Sequence, residues 1–259
     1  MLSLENIYFK YPARRRGNGD AHWVLEDISL TAAAGEFISI IGPSGCGKST
    51  LLSLISGLLR PSRGRILAQG REVLGPSRSR VLIFQGHLLF PWKTAIQNIE
   101  FVLKARGLSQ GLRRRQALEY LQRVRLEAHA DAYPRELSGG MQQRIGIARA
   151  LAAEPDILLL DEPFSSLDLV AKCAIIDELK AIASQMGKTV ILVTHNLEEA
   201  FHVGHRVYLL TKGPGRIAAT FDPSATKPDQ LQSLGASSEF QAFQKKVSAF
   251  MTDPAAAQR

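Results

Sequence analysis

Between residues 42 and 49 the chain reads Gly42-Pro43-Ser44-Gly45-Cys46-Gly47-Lys48-Ser49, which satisfies the pattern G-x-x-x-x-G-K-[ST] without a mismatch. The flanks restrict the fold as strongly as the loop does. Residues 36–41 read as a short buried strand, and residues 49–57 carry Leu51, Leu52 and Ile55 at helical spacing. A glycine-rich loop between strand and helix turns successive N–H groups into one concavity, and the positive end of the following helix faces the same space. That chemistry suits phosphate. Gly42, Ser44, Gly45, Cys46, Gly47, Lys48, Ser49 and Thr50 are the candidate cradle residues. Lys48 is expected to reach the β- and γ-phosphates of a triphosphate, and Ser49 to place its hydroxyl on Mg²⁺. A glycine-rich turn with an incidental lysine is the alternative, and the strand and helix on either side argue against it.

Such a cradle holds one side of a triphosphate only. Hydrolysis also needs a metal ligand, a group that orients water and something to close the far side. Residues 157–160 form an apolar run that ends in Asp161-Glu162-Pro163, as expected of a buried parallel strand delivering carboxylates to the edge where ligands bind in open α/β sheets. Asp161 is the candidate Mg²⁺ ligand, through a water, and Glu162 the candidate general base. Standing alone, the pair would serve as well to cap a helix. The stretch Leu137-Ser138-Gly139-Gly140-Met141 precedes apolar residues Met141, Ile145, Ala148 and Ala152 at helical spacing, with Ser138 as the expected N-cap. By itself this is an ordinary helix start. Beside the loop at 42–49 it is a second glycine-lined helix N-terminus able to face phosphate oxygens.

In this order the segments resemble the ATP-binding subunit of an ABC transporter, over about residues 1–220. The resemblance implies an α/β fold: a P-loop NTPase core with a mostly parallel sheet flanked by helices, an N-terminal antiparallel β subdomain and an inserted helical subdomain. It implies ATP and Mg²⁺ as cofactors, and a second ATP-binding subunit completing a homodimer. In that family the signature loop closes over ATP held by the other subunit, which assigns Ser138, Gly139 and Gly140 to the γ-phosphate across the seam. Gln85, after an apolar strand at 81–84, matches the glutamine that senses Mg²⁺ and water, and Asp168, in Ser165-Ser166-Leu167-Asp168, matches an acid at the dimer interface. His195, after the apolar run at 190–193, matches the histidine contacting the γ-phosphate, and Tyr11, in Phe9-Lys10-Tyr11-Pro12, the aromatic against adenine. Read singly, Gln85 is a polar strand end, Asp168 a helix cap and His195 a core histidine.

Patterning organises the rest. Residues 2–41 alternate apolar and polar positions in short stretches, with turn signals at 17–19 and 34–35, and are expected to form antiparallel strands. Residues 42–85 and 150–210 read as alternating strands and helices of a parallel core. A helical subdomain is expected over about 93–140, with Ala117, Leu121 and Val124 on its apolar face. Residues 1–220 then make the ATP-binding domain, and 221–259 a linker from Pro223 to Pro228 followed by a short amphipathic helix over 239–251 with Phe240, Phe243, Val247 and Phe250.

Composition sets limits on partners. No run of about 18 apolar residues occurs, so no span of the bilayer is expected, and the opening Met1-Leu2-Ser3-Leu4-Glu5 lacks the features of a secretion signal. Two distant cysteines, Cys46 and Cys173, give no disulfide framework and suit a reducing cytoplasm. Cys46 sits near a helix N-terminus, where its thiol is either activated or an inert small side chain. The net charge of +8 draws on Arg14-Arg15-Arg16 and Arg113-Arg114-Arg115. These clusters are a solvated loop and a solvated helix face by default; leaning toward lipid headgroups is the alternative if the protein works against a bacterial inner membrane. The resemblance implies transmembrane permease subunits as partners, and indirectly a periplasmic or lipid-anchored solute-binding protein, with the chain on the cytoplasmic face of the membrane. The apolar and aromatic run Gly86-His87-Leu88-Leu89-Phe90-Pro91-Trp92 would be subdomain core in a monomer, and the resemblance implies instead that it lies by the groove receiving the permease. Together with Gly213-Pro214-Gly215-Arg216-Ile217, the Pro91-Trp92 pair resembles the branch importing nitrate, sulfonate or taurine. Met141 stands where that family usually has glutamine, and Asn196 where aspartate is frequent. The alternative is a cassette acting on nucleic acid or the ribosome. Too few residues separate Lys48 from Ser138 for the long coiled coil of repair cassettes, and one chain here carries one cassette.

Overall fold

The computed structural model describes residues 1–12, 22–84, 86, 89–165, 167, 169–223 and 237–252. They fall into two compact units, residues 1–77 with 189–259, and residues 78–188.

The first unit opens with β1 (Leu2–Phe9), β2 (Leu25–Ala32), β3 (Phe37–Ile41), α1 (Lys48–Ser56), β4 (Arg63–Ala68) and β5 (Arg71–Glu72). Four of the strands make an antiparallel sheet ordered β2-β1-β4-β5. Its register follows the alternation. Leu4 pairs with Leu30 on one side and Ile66 on the other, Ile7 pairs with Ile28, and all five side chains are buried; a slip by one residue would turn this face to water. The region 63–72 departs from the expectation of a continuous parallel core after residue 42, because β4 and β5 belong to this antiparallel sheet. Only Ile66 and Ala68 of β4 are buried, and a strand with one dry face suits an antiparallel sheet better than a parallel core buried on both sides.

The second unit holds β6 (Arg80–Ile83), α2 (Ala95–Ala105), α3 (Gln110–Arg123), α4 (Gly139–Leu151), β7 (Ile157–Asp161) and α5 (Leu169–Gln185). β6 runs parallel to β7, with Ile83 opposite Leu160. Thr94 and Gln97 close a reciprocal capping box on α2. Ala117, Leu121 and Val124 are all buried. Arg113, Arg114 and Arg115 lie on α3, where Arg114 makes one exposed ion pair with Asp131 at 3.7 Å. The cluster Arg14-Arg15-Arg16 and the turn signal at 17–19 lie outside the described residues.

The chain returns to the first unit with β8 (Thr189–Val193), α6 (Leu197–Val203), β9 (Arg206–Leu210), β10 (Ile217–Phe221) and α7 (Ser238–Thr252). β3 lies parallel to both β8 and β9, and β10 closes antiparallel on β9. Every residue of β3 and β8 is buried, which is why both are almost wholly apolar, with Ser39 and Thr189 the polar exceptions. Helix α7 seats Phe240, Phe243 and Val247 inward; ring centroids of Phe240 and Phe243 lie 5.5 and 5.1 Å from Phe201 on α6, and Phe243 lies 5.1 Å from Phe221 on β10.

Candidate functional site

The phosphate loop turns from β3 into α1 at Gly47, whose φ of 95° caps the helix without a side-chain hydrogen bond. A Cβ on Gly47 would stand 2.7 Å from Leu25 Cδ2, so both backbone and space demand glycine. The first N–H groups of α1 are thus not consumed by a capping side chain, which is the condition for holding an anion there. Lys48 is buried to 7% exposure and its ammonium donates to the carbonyls of Gly42 at 2.8 Å and Pro43 at 3.1 Å. The charge therefore rests on the loop itself. Ser44, Gly45 and Ser49 are exposed and Thr50 half-buried. Burial pushes the Cys46 thiol up, against the opposing pull of Lys48; of the two readings for this cysteine, the inert one fits.

Two further candidates join this unit. The Tyr11 hydroxyl lies 3.2 Å from Thr50 Oγ1, its ring packs edge-on against Phe9 at 4.9 Å, and half of it is exposed beside α1. His195 follows β8, which pairs with β3 so that Thr194 N donates to Ile40 O at 3.2 Å. Both loops leave the same sheet edge. The residues beside His195 are tightly held: the Thr194 hydroxyl donates to the buried Glu199 carboxylate at 2.7 Å and accepts from Asn196 N at 3.0 Å. Asn196 Oδ1 in turn accepts from Glu199 N at 3.0 Å and caps α6. Here the amide does the work of the commoner aspartate, since a cap needs only an acceptor oxygen.

In the second unit β7 ends in buried Asp161, and the next residue, Glu162, has a φ of 44°. A left-handed backbone at a non-glycine residue costs about 1–2 kcal/mol and tends to persist where function requires it. Ser165 braces the turn, donating from N at 3.4 Å and from Oγ at 3.1 Å to Glu162 O. Parallel pairing puts the end of β6 beside the end of β7, but Gln85 and Asp168 lie outside the described residues. Ser138 caps α4 by accepting from Met141 N at 3.3 Å, and Ser138 and Gly139 are exposed. The approach to this cap is fixed by Gln142, whose amide donates to Pro134 O at 2.9 Å and Leu137 O at 3.1 Å.

The same unit carries the aromatic stretch. Trp92 is 69% exposed, Phe101 49% and Phe84 41%, and Phe90 sits 5.6 Å from Trp92 and 4.9 Å from Phe101 by centroid. His87 and Leu88 lie outside the described residues. Sequence reading missed what holds this surface in shape. Asn98, fully buried in α2, accepts from Phe90 N at 2.9 Å and donates to the carbonyls of Phe90, Lys93 and Thr94 at 3.3, 3.1 and 3.0 Å. Arg149, its own charge disfavoured by burial, reaches Asn98 Oδ1 at 3.4 Å and lies over the Phe90 ring. Asn98→Ala leaves the Phe90 N–H and these carbonyls without that partner. Urea unfolding is expected to show a loss of about 3 kcal/mol, at 1–3 kcal/mol for a buried group left unsatisfied.

Among the described residues no helix is long and apolar enough to cross a membrane. The sequence profile of the ABC transporter family matches residues 25–165. The aliphatic sulfonates import ATP-binding protein SsuB of Bacillus licheniformis is 48% identical over 194 residues, 75% of each chain. The taurine import ATP-binding protein TauB of Yersinia pestis is 38% identical over 251 residues, 95% of each chain. Among solved structures, the ATP-binding cassette MJ0796, a dimer in a post-hydrolysis state bound to ADP and Pi, superposes with a TM-score of 0.75 at 34% identity, covering 87% of this chain and all of that one. Phosphate loop, capped signature helix and strand-end carboxylates thus occur in a chain that belongs to the ABC transporter family, as an ATP-binding subunit that hydrolyses ATP.

Proposed function

We propose that two copies of this chain clamp two ATP molecules between them and that the hydrolysis cycle drives import of a small anion of the sulfonate, taurine or nitrate type through a separate membrane permease. One observation carries the two-copy reading. The N-terminus of α4 is capped by Ser138 yet remains exposed through Ser138 and Gly139, a phosphate-competent helix end open to a neighbour. Ser138, Gly139 and Gly140 of one copy then face the γ-phosphate on the phosphate loop of the other, with Asp168 at the seam. The solved dimer of MJ0796 with ADP and Pi is consistent with this arrangement.

Within each site, Lys48 and the N–H groups of the loop bind phosphate, Tyr11 lies against adenine, and His195 contacts the γ-phosphate. Glu162 takes a proton from water as the water oxygen attacks the γ-phosphorus and ADP leaves. Ser49, Gln85 and Asp161 offer only oxygen donors, the set that suits Mg²⁺. When bound, that ion neutralises charge growing on the phosphate oxygens.

The substrate class is supported by the sulfonate and taurine importers among the relatives, and by the nitrate import ATP-binding protein NrtC of Synechococcus elongatus, 46% identical over 200 residues that make up 76% of this chain and 30% of that one. The permease docks on the exposed aromatics around Trp92, at the cytoplasmic face of the cell membrane, and a solute-binding protein delivers the anion from the far side. Exposed clustered rings of this kind are rare on a surface that stays in water. Purification from membranes in detergent, with the bound permease identified, tests the reading; a permease that transports anions in vesicles is expected. Trp92→Ala is expected to weaken capture of that permease more than tenfold, as a hot-spot aromatic does, while basal ATP hydrolysis stays within about twofold. Salt-sensitive binding to nucleic acid without any permease would favour the other class.

A further inference from the structure

A turn late in the chain forms the floor of the phosphate loop. Residues 211–216 join β9 to β10, and Gly215 bridges to Leu25 at the start of β2. Its N–H donates to Val24 O at 2.9 Å, and its carbonyl accepts from Glu26 N at 3.0 Å. Arg216 pairs with Glu26. Inside the turn, the Thr211 hydroxyl donates to Pro214 O and accepts from Arg216 N, both at 2.9 Å. The turn is therefore fastened to β2 and braced from within.

Its other side supports the loop. A Cβ on Gly215 would stand 2.2 Å from Cys46 O, a backbone carbonyl that no rotamer change can move away. Leu25, its bridge partner, would lie 3.1 Å from that Cβ and 2.7 Å from one on Gly47. Leu210 O, at the end of β9, would lie 2.9 Å from a Cβ on Gly42. The loop thus rests on three supports, and Gly215 is one whose backbone is not left-handed, so that space alone excludes a side chain.

We propose that Gly215 is a positioning residue for the nucleotide, setting the direction of an N–H group in the phosphate loop. The link is the peptide plane. Cys46 C=O and Gly47 N–H belong to one rigid unit, so displacing that oxygen tilts the N–H that opens the α1 terminus. This rests on the reading of the loop as an ATP cradle, and nothing in the loop's own pattern asks for a glycine so far along the chain.

Calorimetric titration with Mg-ATP, paired with the rate at which a small maleimide labels buried Cys46, tests it. Gly215→Ala is expected to bind Mg-ATP on the order of ten- to a hundredfold more weakly, the scale of effect from displacing a positioned group by about 1 Å, and to label faster at Cys46. Gly213→Ala adds its Cβ in the same turn where nothing lies within 4 Å, and is expected to match the parent chain in both readouts. Thr211→Val keeps the floor but removes both internal hydrogen bonds; an intermediate weakening is expected, and it stands in if Gly215→Ala fails to fold. Equal Mg-ATP affinity and equal labelling in the two alanine variants would overturn the proposal, as would an equal loss in both. If Lys48→Ala binds Mg-ATP as tightly as the parent chain, the cradle reading itself fails. The labelling difference between the two alanine variants still decides whether Gly215 supports the loop.

Discussion

Glu162→Gln is expected to bind ATP with near-parent affinity, to hydrolyse it on the order of 10² to 10⁴ times more slowly, and to accumulate as a dimer with ATP trapped inside. The rate range is what a positioned general base contributes. The substitution is nearly isosteric, so the braced turn at 162–165 and its left-handed backbone remain, and only the proton acceptor is lost. Because binding closes the seam and hydrolysis opens it in the proposed cycle, the block appears as a change of mass. Size-exclusion chromatography with Mg-ATP should show the parent mostly as monomer and the variant mostly as dimer. Turnover at the parent rate would remove Glu162 from the role of base, and a variant that stays monomeric at saturating ATP would remove the two-copy clamp.

Lys48→Ala is expected to fail earlier, at binding. Its ammonium is the one positive side chain inside the loop, and it already sits buried on the carbonyls of Gly42 and Pro43. Exchanging those carbonyls for phosphate oxygens on binding replaces neutral acceptors by charged ones, which roughly doubles the strength of each hydrogen bond. Loss of such a charge clamp costs on the order of 10² to 10³ in turnover. Mg-ATP affinity should drop alongside, by more than that for ADP, because the γ-phosphate loses its cation. A colorimetric phosphate assay and a binding titration with both nucleotides separate the two effects. Equal loss for ATP and ADP would mean that Lys48 does not reach the γ-phosphate. Since the two carbonyls lose a partner, thermal melting should accompany the assay to show that the variant is folded.

Much of the fold could be read from the residues alone, where local signals and tertiary demand agree. The loop at 42–49 sits between β3 and α1 as its flanks implied, because an apolar run followed by Leu51, Leu52 and Ile55 has few other ways to be buried. Ser138 caps α4 because a serine before two glycines offers an acceptor where the helix has spare N–H groups. What stayed hidden depends on contacts distant in sequence. The short alternation at 63–72 does not say which sheet the strands join, and pairing with β1 rather than with the parallel core decides it. Nothing in the sequence sets Asn98 apart from other polar residues of α2, and only the bend at 90–94 folding over it supplies four backbone partners. The positive φ of Glu162 has no sequence signal at all, since glutamate is a poor predictor of left-handed backbone. Gly215 stands in the sequence only as part of the segment 213–217 that resembles the importer branch, and its duty to the phosphate loop emerges only where it meets Cys46 O.

The aromatic seam between α6 and α7 changes how the last described helix should be regarded. Phe240 and Phe243 cover Phe201, on the helix that begins two residues after His195. Shortening the protein ahead of residue 237 would strip a lid of rings from the C-terminal half of that helix and leave Phe201 and Phe221 facing water. Rather than a dispensable tail, α7 acts as ballast for the segment behind His195, and expression trials that trim it should expect a sticky product with a loosened histidine.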